Sequence, residues 1–159
     1  MKKAKTLFFS LIALVMLFMV GCTNSSTPDD NQSKSEEILI SVDYAPDEIS
    51  GEYNSFDEEY NGYEAERIIL RTNIAAKDFK FIEIGYKGEN ANIQYYETVV
   101  LYSLDELSPE NPLVVTWLEQ GTVPHRGISF VDENNITRYF YIAKSGEDGS
   151  LLLIEFEQE

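Results

Sequence analysis

The side chains best suited to chemistry in this sequence are carboxylates, and they are concentrated in residues 43–66. That segment contains nine acidic residues and neither lysine nor arginine. Within it, Asp57, Glu59 and Asn61 place oxygen atoms at alternate positions and Gly62 follows, which is the pattern of a calcium-binding loop. The pattern is incomplete, because the twelfth position, where such loops have a bidentate carboxylate, is Ile68. It supports the hypothesis of a calcium-dependent binding or adhesion domain; otherwise no cofactor is expected.

The same segment contains aromatic residues that are candidates for binding a partner. They are spaced three, four and three residues apart, which would place them on one face of a helix, although Gly51 and Asn54 weaken that helix. Exposed tyrosines among acids can contact a glycan or a cationic protein. The alternative is that the acids pair internally with the cations that follow, Arg67, Arg71, Lys77, Lys80 and Lys87. The aromatic binding candidates are Tyr53, Phe56, Tyr60 and Tyr63.

No catalytic residue can be assigned from the sequence. His125 is the only histidine and Cys22 the only cysteine, so a zinc site would lack ligands. A serine–histidine arrangement would need a serine that nothing in the sequence singles out. We therefore expect a protein that is not an enzyme, with an envelope hydrolase as the second alternative to simple binding.

The elements that must position these residues are strands. Eight segments alternate apolar and polar residues or are flanked by Asn, Asp, Gly and Pro turns, and none carries a helical stripe of ten residues. The apolar phase slips by one residue near Phe81 to Glu83, which predicts a β-bulge. In the last segment we expect Leu152, Ile154 and Phe156 to be buried. The predicted strands are 38–44, 67–74, 79–86, 95–104, 113–117, 128–131, 137–144 and 151–157.

Such a series of short strands predicts an all-β fold. We expect an antiparallel β-sandwich of about seven or eight strands, Ig-like in general architecture. A small β-barrel is the alternative. The single domain is expected to occupy residues 38–159.

The first 22 residues have the pattern of a targeting signal. Three lysines precede an apolar run from Leu7 to Val20, which is shorter than the ~20 residues that span a bilayer. Val20, Gly21 and Cys22 then resemble the lipobox of bacterial lipoproteins, although Met19 stands where an aliphatic residue is usual. The resemblance implies that residues 1–21 are a signal peptide, removed by cleavage before Cys22. It also implies a thioether diacylglycerol on Cys22 and acylation of the new amine.

The lipid would fix the location of the protein. Two or more acyl chains hold a protein firmly to a membrane. Residues 22–37 are then a lipidated cysteine followed by a polar tether with no apolar residue but Pro28. We expect the domain to lie on the extracytoplasmic face of the cell membrane. Thr23 follows the cysteine, so in a cell with two membranes the resemblance favours the outer one.

Charge excludes one class of partner. Removal of three lysines with residues 1–21 takes the formal charge from −16 to −19, and nucleic-acid binding needs a basic surface. The sequence thus predicts a lipid-anchored binding or scaffolding module of the bacterial cell envelope. Its partner would be an envelope protein or a glycan, and not a nucleic acid.

Overall fold

The computed structural model describes residues 39–58, 65–88, 93–117 and 123–158. The chain divides into two compact units, Met1–Glu37 and Ile38–Glu159, and every described residue belongs to the second. The described residues form nine strands and no helix, so no described helix is long and apolar enough to cross a bilayer. The strands are β1 Ile40–Tyr44, β2 Asn54–Asp57, β3 Glu66–Thr72, β4 Ala76–Lys87, β5 Gln94–Leu107, β6 Leu113–Trp117, β7 Arg126–Val131, β8 Thr137–Lys144 and β9 Leu151–Phe156.

The strands form two sheets that pack as a β-sandwich, which confirms the predicted fold class. One sheet has the order β1-β3-β6-β2 and the other β5-β4-β7-β8-β9, and neither closes into a barrel within the described residues. The neighbours β1-β3-β6 and β4-β7-β8 correspond to strands A-B-E and C-F-G of an immunoglobulin-type sandwich. The departure is β2, which pairs with β6 in parallel, whereas the other named pairs are antiparallel.

The core lies between the sheets and is built from alternate residues of each strand. Its largest fully buried side chains include Phe79, Phe81 and Phe130, each of which stabilises the fold by roughly 1.5–3 kcal/mol through burial. The buried core cluster is Ile40, Val42, Ile68, Leu70, Ala76, Phe79, Phe81, Leu107, Leu113, Val115, Trp117, Ile128, Phe130, Ile142 and Leu151. Because all of these residues lie in the second unit, residues 38–159 carry their own core.

The short strand β2 corrects the prediction for the acidic segment. Residues 54–57 are a strand, not part of a helix, and the Phe56 side chain packs between the sheets. Its ring stacks on Tyr102 of β5 at 5.2 Å between centroids and lies 6.0 Å from Phe81. Phe56 therefore seals the side of the sandwich where β2 and β5 are the edge strands.

The β4–β5 hairpin is long and irregular, and it covers part of the outer face of the five-stranded sheet. The predicted bulge is confirmed, with register shifts between Phe81 and Ile82 and between Glu83 and Ile84. Beyond it the hairpin folds over the sheet, so that Tyr95 of β5 reaches β8, which is three strands away in the sheet order. On this face Tyr95 packs 4.5 Å from Tyr141 between ring centroids. Burial, together with the neighbouring Tyr141 and Tyr86, raises the pKa of Tyr95.

The hairpin also explains why the prediction for the last strand was wrong. Leu151 is buried and Leu153 packs against the core, whereas Leu152 and Ile154 are 44% and 38% exposed. Phe156 contacts the ring of Tyr95 on the outer face. Both faces of β9 are apolar, because one contacts the core and the other contacts Tyr95 and Tyr141 on the outer face of the sheet.

The two ends of the sandwich differ in their connection to the rest of the chain. Leu39, where the described residues begin, accepts hydrogen bonds from Thr72 Oγ1 and the Asn73 amide. We call this the entry end. The opposite or far end contains Glu66, the first residue of β3, paired with Trp117. The seven residues of β3 separate the ends by about 20 Å.

Candidate functional site

An ion pair joins the two sheets at the far end. Glu66 continues the core-facing phase of Ile68 and Leu70, and Lys144 continues that of Ile142, so two charged side chains occupy inward positions. Lys144 Nζ lies 3.4 Å from Glu66 Oε1 and 5.6 Å from the centroid of the Tyr44 ring. The side chains of Glu66 and Lys144 are about one-third exposed. They therefore lie where the core meets solvent.

A pocket of about 290 Å³ lies at the same end of the sandwich, with Lys144 in its lining. Its walls are mainly apolar, and Lys144, Ser145 and His125 add polar atoms. We call it the end pocket. It is lined by Trp117, Val123, Pro124, His125, Ile142, Ala143, Lys144, Ser145, Gly146 and Leu151. An apolar cavity with a few polar groups is the usual form of a small-molecule site, and this volume is at the lower limit for one.

Three polar atoms at the far end are buried without a hydrogen-bond partner among the described residues. Trp117 Nε1 and His125 Nε2 belong to residues that line the end pocket, and Glu66 Oε2 belongs to the ion-pair partner of Lys144. The Trp117 and His125 rings are nearly parallel, 15° apart, with centroids separated by 6.4 Å. His125 Nδ1 lies 3.5 Å from the Val123 carbonyl oxygen, a long contact. Each unpaired buried atom costs about 1–3 kcal/mol, so this cluster is energetically costly for a stable domain.

Arg126 fixes the segment that carries His125. Its guanidinium donates two hydrogen bonds to the Glu58 carboxylate, at 2.8 and 3.2 Å, and a third to the His125 carbonyl oxygen. The carboxylate of Glu83 lies 3.6 Å from the same guanidinium. The Arg126 and Glu58 side chains are only 13% and 12% exposed. A planar, bidentate pair of this kind holds its backbone in a defined position.

A second, more open cavity of about 560 Å³ adjoins the end pocket. The two share Val123, Pro124 and His125. We call the second cavity the tyrosine groove. It is lined by Glu83, Ile84, Gly85, Tyr86, Tyr96, Val123, Pro124, His125 and Arg126.

A glycine in the groove allows Tyr96 to lie against the backbone. Gly85 pairs with Tyr96 across the β4–β5 hairpin. A Cβ atom at Gly85 would stand 2.7 Å from Tyr96 Cζ, closer than such atoms approach. The absence of that carbon lets the ring rest on the strand while 39% of Tyr96 remains exposed. Tyr96 thus presents a supported aromatic surface at the groove.

The predicted calcium and aromatic sites of the acidic segment stay predictions, because the structure describes only part of the segment. Asp57 is an exposed residue of β2, opposite Thr116, and no group of three metal-binding side chains occurs among the described residues. Tyr53 is exposed and lies beside the entry end of β2. Phe56 is partly buried and packs against Tyr102 and Phe81, so less of its ring is available to a partner than that of Tyr53. Four candidates, Glu59, Tyr60, Asn61 and Tyr63, lie outside the described residues, as does Cys22.

Two described acids of the acidic segment pair with cations other than those expected. Where the structure describes them, Glu58 pairs with Arg126 and Glu66 with Lys144, and neither cation belongs to the group between Arg67 and Lys87. Sequence reasoning missed this end of the sandwich. The sequence does contain a sign of this end. Glu66 and Lys144 are charged residues at the ends of their strands, at positions where the alternation places core residues. Nothing in the sequence indicates that the Trp117 indole N–H lacks a partner.

The fold and the far end define the class of protein as an all-β, two-sheet sandwich with a pocket at one end. No protein-family model, curated protein or solved structure matches the chain.

Proposed function

We propose that this chain is a lipid-anchored binding or scaffolding module of the bacterial cell envelope, and that its ligand binds at the far end. The observation that carries the proposal is that three buried polar atoms at the far end lack a partner among the described residues, and two of them, Trp117 Nε1 and His125 Nε2, belong to residues that line the end pocket. Buried polar groups in native proteins are almost always paired, with exceptions at sites completed by another molecule. A bound group would offset the cost of the unpaired atoms.

The direction of the chain supports this location. The predicted tether of residues 22–37 joins the domain at the entry end, about 20 Å from the end pocket. A random coil of that length reaches roughly 20–30 Å. With lipid on Cys22, the domain would meet its ligand on the extracytoplasmic side of the membrane.

The proposal assigns no reaction to the site. Among the described residues, His125 contacts the Trp117 ring and the Val123 carbonyl, and neither is a nucleophile. General-base catalysis would need the imidazole within hydrogen-bond reach of the group it deprotonates. The mixed donors and acceptors around an apolar cavity instead suit recognition.

Matched lysine variants test the site. Full-length chain in mild detergent is mixed with insoluble cell-envelope material, and the bound chain is measured by co-sedimentation. We expect Lys144→Ala to lower binding at least tenfold, because Lys144 lines the end pocket. Lys77→Ala, an exposed residue of β4 near the entry end, should bind like the unaltered chain. Equal binding by both variants would contradict the proposed site.

The anchor is tested separately. Replacing Cys22 with Ser removes the only thiol, and the variant is expected to move from the membrane fraction to the soluble fraction. A Cys22→Ser chain that remains lipidated and sediments with membranes would refute the lipid anchor. It would leave the ligand site at the far end untouched.

A further inference from the structure

We propose that the tyrosine groove binds a neutral glycan, with one sugar unit lying against Tyr96. This inference rests on the proposed function, since it takes the far end as the ligand-binding end, and it adds the chemical class of the ligand. The groove and the end pocket share His125 and Pro124, so a short sugar chain would pass from one into the other.

The aromatic surface is the first reason. A sugar ring has an apolar face of C–H groups and a rim of hydroxyls, and an aromatic ring offers a flat apolar face of matching size. Tyr96 lies over Gly85 and remains 39% exposed. Tyr86, which also lines the groove, is 51% exposed. Because Tyr96 is already held in place, a ligand would not have to immobilise it, which lowers the entropic cost of binding.

The polar groups around Tyr96 are the second reason. The Glu83 side chain is 44% exposed and accepts hydrogen bonds, while the Arg126 guanidinium beside it donates them. The three unpaired atoms at the far end likewise include a donor, Trp117 Nε1, and an acceptor, Glu66 Oε2. A hydroxyl both donates and accepts, so a polyhydroxylated ligand suits such a mixed set.

Charge selects a neutral glycan rather than an anionic one. The nearest cation in the groove, Arg126, is already paired with Glu58 and faces Glu83. The chain after cleavage would carry a formal charge near −19, counted from the sequence, which repels polyanions at long range. The concave shape of the groove also favours a narrow chain over a protein surface, since a stable protein interface needs about 800 Å² from each partner.

A glycan array tests the class of ligand. Full-length chain in mild detergent is applied to neutral glycans, including β-1,4-linked N-acetylglucosamine oligomers and cello-oligosaccharides, and to polygalacturonate as an anionic glycan. Affinities for the neutral glycans that bind are then measured by titration calorimetry. We expect binding to at least one neutral series that strengthens with chain length, and none to polygalacturonate.

Four variants test the groove. Tyr96→Ala should weaken binding at least tenfold, which corresponds to about 1.4 kcal/mol, and Tyr96→Phe should retain affinity within about threefold. Gly85→Ala should behave like Tyr96→Ala, because its Cβ displaces the ring. Tyr53→Ala removes an equally exposed tyrosine beside the entry end and should change nothing. If Tyr96→Ala fails to fold, Tyr96→Leu replaces it and should show the same loss.

The outcomes separate this inference from the proposed function. Binding of envelope material that depends on Lys144, with no neutral glycan bound, would overturn the glycan inference and leave the site at the far end standing. Glycan binding unaffected by Tyr96→Ala and Gly85→Ala would overturn the assignment to the groove. Envelope binding that is insensitive to Lys144→Ala would refute the proposed function itself.

Discussion

We expect the ion pair between Glu58 and Arg126 to stabilise the folded domain more than its exposed ion pairs do. It joins the end of β2 to the start of β7, across the two sheets. Glu58→Gln keeps the shape of the side chain but removes its charge and one of the two acceptors that Arg126 uses. We expect the free energy of unfolding to fall by about 2 kcal/mol.

This magnitude follows from the burial of the pair. Breaking a fully buried ion pair costs about 3–5 kcal/mol, and one hydrogen bond to a charged group contributes about 1.5–3 kcal/mol. Glu58 and Arg126 are nearly buried, at 12% and 13% exposure, but Glu83 remains 3.6 Å from the guanidinium after the change. The lower part of these ranges therefore applies.

The effect is measured by unfolding residues 38–159 in urea while the fluorescence of Trp117 is monitored. The control is Glu155→Gln, which disrupts an ion pair with Arg138 whose side chains are 42% and 29% exposed. Exposed pairs contribute about 0–1 kcal/mol, so the control should change stability little. If Glu58→Gln were no more destabilising than Glu155→Gln, the assignment of Glu58 to a buried cross-sheet contact would be refuted.

Two further changes test the backbone and the last hairpin. Gly127→Ala should lower the free energy of unfolding by at least about 2 kcal/mol, because its Cβ would stand 2.3 Å from the Phe140 carbonyl oxygen, whereas Gly146 has open space around its Cβ position. Hydrogen bonds from the Ser150 hydroxyl and amide lower the pKa of Asp148 to about 2, and NMR titration should show it. Ser150→Ala should raise that pKa toward its ordinary value.

Each of these two predictions has a control in the same protein. Gly146→Ala should change stability by less than about 0.5 kcal/mol, and a loss as large as that of Gly127→Ala would contradict the predicted clash. A depressed carboxyl pKa stabilises the fold above the unfolded value, near 3.9, and that contribution disappears as the pH falls toward 2. An Asp148 carboxyl that titrates near 3.9 would contradict the hydrogen bonds from Ser150.

The fold was predictable where local pattern and burial agree. The phase slip near Phe81 identified the bulge because a bulge changes which face each residue occupies. β2 was missed for a physical reason: it has four residues, three of them polar, and its partner β6 lies almost sixty positions away. A pairing at that distance leaves no local signal. The faces of β9 were assigned wrongly because all of residues 151–154 are apolar.

The candidate site was less predictable than the fold. The abundance of acids favoured a binding site in residues 43–66. The described acids there that form ion pairs are Glu58 and Glu66, and both join the two sheets. The alternation of Trp117 with Leu113 and Val115 indicates burial, and Trp117 does lie in the core. Its role at a pocket depends on how β6, β8 and the segment before β7 meet, and that arrangement is a property of the tertiary structure alone.

The central claim is that a ligand binds at the far end of the sandwich, and Trp117 offers the most direct measurement. The chain has a single tryptophan, so a ¹⁵N-labelled sample gives one indole N–H signal in a ¹H–¹⁵N correlation spectrum. On addition of solubilised envelope glycan, we predict that this signal shifts together with the backbone signals of His125 and Lys144. Binding that shifts other signals but leaves the Trp117 indole and these two residues unchanged would contradict the account.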